Sequence, residues 1–185
     1  MTADSSPNEA STGLVVLGPA VPDVGDDIRL QQLWISLQQR SWRSLAVLGA
    51  AEGIATLDAA KALARCAWWY TGQPSCVFDM RDLTLRLLEN QIRDMAASQL
   101  RGGERVFVAL RSLRENPTAL PLAMAADAAV LCVELGRTDI KSAQRTISTI
   151  GRDRFLGTIL VSSEGTSTAL TTEPPAGMWP GGEPP

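Results

Sequence analysis

Five short runs in this chain are apolar at all but one or two positions, and helix-length segments separate them. The runs are "SLAVLG" (44–49), "SCVFD" (75–79), "RVFVAL" (105–110), "AAVLCVEL" (128–135) and "FLGTILVS" (155–162). A strand with one wet face alternates apolar and polar residues, so an unbroken apolar run marks a strand covered on both faces. Between the runs lie helical patterns: Thr56 to Trp69, Leu83 to Leu100, "TALPLAMAA", and "DIKSAQRTISTIG" with Gly151 at its end. Ahead of them, "DDIRLQQLWISLQQR" sets Ile28, Leu30, Leu33, Trp34 and Leu37 at helical spacing behind an acidic start. Strands that alternate with helices predict an α/β fold, a parallel sheet flanked by helices on both faces.

The ends differ in kind. Residues 1–25 are rich in Ser, Pro, Asp and Gly and read as a flexible arm, with Leu14 to Leu17 as its apolar docking segment. Residues 164–185 are dense in Thr, Pro and Gly and read as a disordered tail. One domain, 26–163, lies between them.

Composition removes several chemistries. The chain holds no histidine, which excludes imidazole bases, Ser–His and Cys–His nucleophile pairs and most zinc sites. A net charge of −3 argues against broad nucleic-acid binding, which needs a basic surface. Cys66, Cys76 and Cys132 each sit among apolar residues and read as buried free thiols. No apolar run approaches the roughly 18–20 residues of a membrane span, and the polar start does not resemble a signal peptide. The expected location is the cytoplasm, with any membrane association peripheral and through a partner.

In open α/β sheets, ligands bind beyond the carboxyl ends of the strands. After the first apolar run comes "GAAEGIAT": Gly49, Glu52, Gly53, Ile54, Ala55 and Thr56 lead into an alanine-rich helix. The outline is that of a phosphate-binding loop, in which glycines open backbone N–H groups to phosphate, a lysine reaches the outer phosphates and a hydroxyl holds Mg²⁺. Here Ile54 fills the lysine slot and Ala55 the hydroxyl slot. Lys61, seven residues further on, is about 10 Å along the helix and reads as a solvated surface lysine, not a substitute.

From Asp26 to Ser163 the ordered set of motifs resembles the bacterial tyrosine autokinases of polysaccharide export, a branch of the MinD/ParA-like P-loop ATPases. "AEGIATLDAAKALA" is similar to that family's G-E-G-K-S-T loop and following helix. "CVFDMRDL" supplies Asp79 and Asp82 for its acidic metal motif, with one extra residue between them. "VFVALRSLRENPTALPLA" follows its third strand, but Ala109 stands at the aspartate position. "DDIRLQQLW" is similar to its subunit-contact helix, keeping Asp26 and Arg29 with Gln32 in place of a second arginine.

The resemblance implies a nucleotide site that has lost its lysine, its hydroxyl and its carboxylate, the groups on which phosphoryl transfer depends. No catalytic residue and no metal site are expected, nor any ATP or Mg²⁺ cofactor. The tail after Ser162 lacks the family's tyrosine cluster; Tyr70 is the sole tyrosine. Asp79 and Asp82 have an alternative reading as a strand-end residue and a helix cap. The implied role is that of a non-catalytic cytoplasmic partner of a membrane-anchored polysaccharide co-polymerase or export protein. Alternatives are an interaction protein for another client and a protein with residual nucleotide binding. Asp26, Arg29 and Gln32, with the aromatic anchors Trp34 and Trp42, are the expected interface, and any homo-oligomer should be weak. "RSLRE" and "RGGER" read as solvated basic faces.

Overall fold

The computed structural model describes residues 14–17, 28–100 and 104–161. In chain order its elements are β1 (Leu14–Leu17), α1 (Ile28–Leu37), β2 (Ser44–Gly49), α2 (Thr56–Thr71), β3 (Ser75–Asp79), α3 (Leu85–Leu100), β4 (Arg105–Leu110), α4 (Ala119–Ala125), β5 (Ala128–Glu134), α5 (Ile140–Ile150) and β6 (Phe155–Val161). The strands form one sheet in the order β1-β3-β4-β2-β5-β6. From β3 to β6 every pairing is parallel, as unbroken apolar runs joined by helices require. β2 lies at the centre, with Val47 opposite Ala109 of β4 and Val130 of β5.

β1 departs from that pattern. Leu14 to Leu17 pair antiparallel with Phe78 to Ser75 of β3, so this stretch of the arm is an edge strand. The rest of the arm, Asp26 with it, and the 164–185 tail lie outside the described residues.

The core runs along both faces of the sheet. Leu45, Val47, Phe107, Val108, Val130 and Leu131 are almost wholly buried. α2 reaches the sheet through Leu63 and through Ala59, Ala60, Ala64 and Ala67, whose small side chains allow helix and sheet to approach closely. α1 packs on α2, while α4 touches both α3 and α5. A clamp at the amino ends ties β2 to β5. The Asp127 carboxylate accepts from the Arg43 and Ser44 N–H groups, each at 2.9 Å, and from Ser44 Oγ at 3.0 Å. Burial works against this charge, but those donors outweigh it and hold the carboxyl below its ordinary pKa.

α1 buries Leu33 and Leu37 as its spacing predicts. Trp34 does not stand out as an interface anchor: only 4% of it is exposed. Its ring meets Trp42 edge-on at 6.1 Å and stacks on Tyr70 at 6.1 Å. Trp42, also buried, meets Phe107 edge-on at 5.6 Å and donates its Nε1–H to the Leu37 carbonyl at 2.7 Å. The Arg105 guanidinium lies over both indoles, 4.9 Å from the Trp34 ring centre and 4.5 Å from that of Trp42. These aromatics fasten α1 to α2 and β4. They are structural.

Candidate functional site

The order of strands places β4 and β5 on either side of β2, with the chain running out to β3 and back before it crosses to β5. Such a reversal leaves a crevice at the carboxyl ends of the strands, where α/β proteins bind ligands. Three loops meet there: 50–55 after β2, 111–118 after β4 and 135–139 after β5.

The first loop has the backbone of a turn and an apolar plug. Gly53 has φ +72°, in the left-handed region, and a Cβ there would lie 2.8 Å from Arg137 Nη2. Gly49 is tight against its own loop: a Cβ would stand 3.1 Å from the Ala51 carbonyl oxygen and 3.3 Å from Ile54 Cβ. Ile54, 7% exposed, is packed into the core. Ala55 is half-buried and precedes α2 without a side-chain cap. Thr56 is fully buried, and its Oγ1 has no hydrogen-bond partner among the described residues.

Three backbone donors in and beside the loop already have protein acceptors. Ala50 N–H donates to the Cys132 carbonyl at 2.9 Å and Thr56 N–H to the Ile54 carbonyl at 2.8 Å. Gly53 N–H donates to Glu115 Oε1 at 3.0 Å. The same carboxylate accepts from Arg111 Nη1 at 3.3 Å, from Ser112 N–H at 3.3 Å and from Ser112 Oγ at 2.9 Å. Burial pushes the Glu115 carboxyl up, but the Gly53 and Ser112 donors and then Arg111 prevail and hold its pKa below the ordinary value. Glu52, exposed, pairs with Arg114 at 3.2 Å.

The acidic positions are neutralised by arginines. Asp79, at the end of β3, is held bidentate by Arg81 at 2.8 and 2.9 Å. That fork is the main reason its pKa is lowered; the charge of half-buried Lys61 adds a little. Asp82 accepts from Arg111 Nη2 at 2.7 Å and Nε at 3.0 Å. Ala109 is fully buried and pairs in register with Asp79 across β3 and β4. Among the described residues, no three His, Cys, Asp or Glu side chains are grouped to hold a metal ion.

These residues do not fit a magnesium nucleotide. Ile54, where the resemblance expects a lysine, is core, Gly53 N–H already serves a carboxylate, and both aspartates carry guanidinium partners. Of the expected interface on α1, Gln32 is exposed, and Arg29 lies in the helix.

Beside the loop opens a cavity of about 530 Å³. The β2–α2 loop contributes Ala50, Ala51 and Glu52, and the β4–α4 loop contributes Ser112, Leu113 and Arg114. Arg137 enters from the β5–α5 loop, its Nη1 3.3 Å from Glu134 Oε2. The remaining wall is one stripe of α5: Ser142, Arg145, Thr146 and Thr149. Their i, i+3, i+4, i+7 spacing puts them on a single helix face. That stripe is readable in "DIKSAQRTISTIG" from the same helical spacing. Arg111 and Glu115 were hidden inside "RSLRE", a segment that reads as a solvated face.

Comparison of the chain with known protein families, with curated proteins and with solved structures finds no match. Among the described residues no helix is long and apolar enough to cross a membrane.

Proposed function

We propose that this protein is a non-catalytic binding module, a tyrosine-autokinase-like cytoplasmic partner of a membrane-anchored polysaccharide export protein. The observation that carries the non-catalytic part is the loop's contact with a carboxylate of the β4–α4 loop. Gly53 N–H, which an active loop offers to phosphate, is donated to Glu115, and Ile54 occupies core. Phosphoryl transfer relies on charges positioned around the phosphates, and removing one such group costs about 3 kcal/mol of transition-state stabilisation. Ile54, Ala55 and Ala109 leave three such positions without charge or hydroxyl. The choice of partner rests on the ordered motif resemblance, from the loop through "CVFDMRDL" to the α1 segment with Arg29 and Gln32.

The role is tested by co-sedimentation of the full chain with membranes that contain or lack the export protein. Retention only when that protein is present, weakened by Arg29→Glu, supports the reading. Equal partition into both membranes, or loss from both, overturns the choice of partner.

A further inference from the structure

We infer that the cavity beside the closed loop binds a small phosphate-bearing anion of polar character, held by Arg114, Arg137 and Arg145. The inference rests on the reading above in one respect: a loop closed on Glu115 leaves this neighbouring space to another ligand.

Charge is the first argument. The cavity is lined by three arginines, of which Arg114 pairs with Glu52 and Arg137 with Glu134, and by one acidic residue, Glu52, in a chain whose net charge is −3. Arginine presents a planar fork of donors matched to phosphate oxygens, and several forks on one wall select multiply charged oxyanions. Arg145 makes no ion pair among the described residues. Arg114 is 81% exposed and its partner Glu52 57%, so that ion pair is weak and readily exchanged for a ligand oxygen.

Shape and lining supply the second. At about 530 Å³ the cavity is within the usual range of small-molecule sites, roughly 300–1,000 Å³. Such sites are mostly apolar, yet here Ser142 and Thr149 line the α5 wall and Leu113 is the one large apolar side chain in the lining. No aromatic ring is present on which a nucleobase would stack. A ligand that suits this wall is charged and hydrogen-bonding throughout, without a base.

The placement is the third. Arg137 is seated against Gly53, at the turn where the loop's N–H is already satisfied by Glu115. A phosphate in the cavity therefore meets side-chain guanidinium groups and does not need the loop's backbone.

The test is calorimetric titration of the full chain with inorganic pyrophosphate at about 0.15 M salt, where long-range attraction is screened. Saturable binding, one per chain, with Kd at or below about 1 mM and no requirement for Mg²⁺ is the expected result. Arg145→Glu and Arg114→Glu should each weaken it at least about tenfold, as loss of a charge-assisted hydrogen bond does. Arg93→Glu, which alters an exposed i,i+4 pair on α3, should leave it unchanged. Both cavity variants change exposed side chains, and unchanged thermal unfolding verifies that they fold. Absence of saturable binding overturns the inference, as does equal weakening by Arg93→Glu. Equal binding of citrate overturns the phosphate class. A parallel titration with Mg-ATP separates the two claims: Mg²⁺-dependent binding and turnover sink the non-catalytic reading, whereas failure of pyrophosphate alone sinks only this one.

Discussion

The Gly53 N–H donates to Glu115 Oε1 at 3.0 Å, across 62 positions of sequence. A carboxylate supplied by the next loop but one thus occupies the backbone donor that a phosphate-binding loop keeps for its ligand. Glu115→Gln retains the shape and removes the charge from four donor contacts. It should cost about 1–2 kcal/mol, read as a lower denaturant midpoint, because hydrogen bonds to charged groups exceed neutral ones.

The pH dependence of that difference follows from its sign. The folded pKa of Glu115 is depressed below its ordinary value of 4.5. Its stabilisation is therefore fully present above the unfolded pKa and lost as pH falls through the folded one. The gap in stability between the native chain and Glu115→Gln should be widest at neutral pH and close in acid. Denaturant titrations at pH about 7, 5 and 3 measure it.

Ile54→Lys, made alone or with Ala55→Ser, restores the letters of a phosphate loop without its geometry. The side chain at 54 is 7% exposed and belongs to the core. A cation there loses apolar burial and is poorly hydrated, so the expected cost is about 2–4 kcal/mol. Thermal unfolding should report that loss, and ATP turnover should remain absent.

Thr56→Val tests the orphaned hydroxyl at the start of α2. The Oγ1 is buried without a hydrogen bond, and valine has the same branched shape. Removing it should stabilise the fold by about 1 kcal/mol, seen as a higher melting temperature.

Cys132 sets an alkaline limit. Burial pushes its thiol from 9.0 up to about 12. Between those values the unfolded chain releases the proton while the folded chain keeps it, so stability falls as pH rises above about 9. In Cys132→Ala that slope should be shallower, whatever its stability at neutral pH.

How far the sequence speaks depends on the range of the interaction involved. The parallel strands were legible because an apolar run covered on both faces is a local property, and β2 to β6 begin where those runs begin. β1 was not, since "LVVL" is four residues beside Gly18 and Pro19 and its pairing depends on the free side of β3. Trp34 is core and not an anchor for a related reason. An aromatic residue on an amphipathic helix is core or anchor according to its neighbours, and Trp42, Tyr70 and Arg105 arrive from other elements. Likewise Glu115 looked like part of a charged surface segment until the fold set it against Gly53.

ATP turnover by the full chain with Mg²⁺ decides between a non-catalytic loop and one that retains nucleotide chemistry. A non-catalytic loop gives no release of phosphate above buffer and no binding that Mg²⁺ strengthens. Hydrolysis of even about 0.1 per second, within ordinary enzyme range, would contradict it.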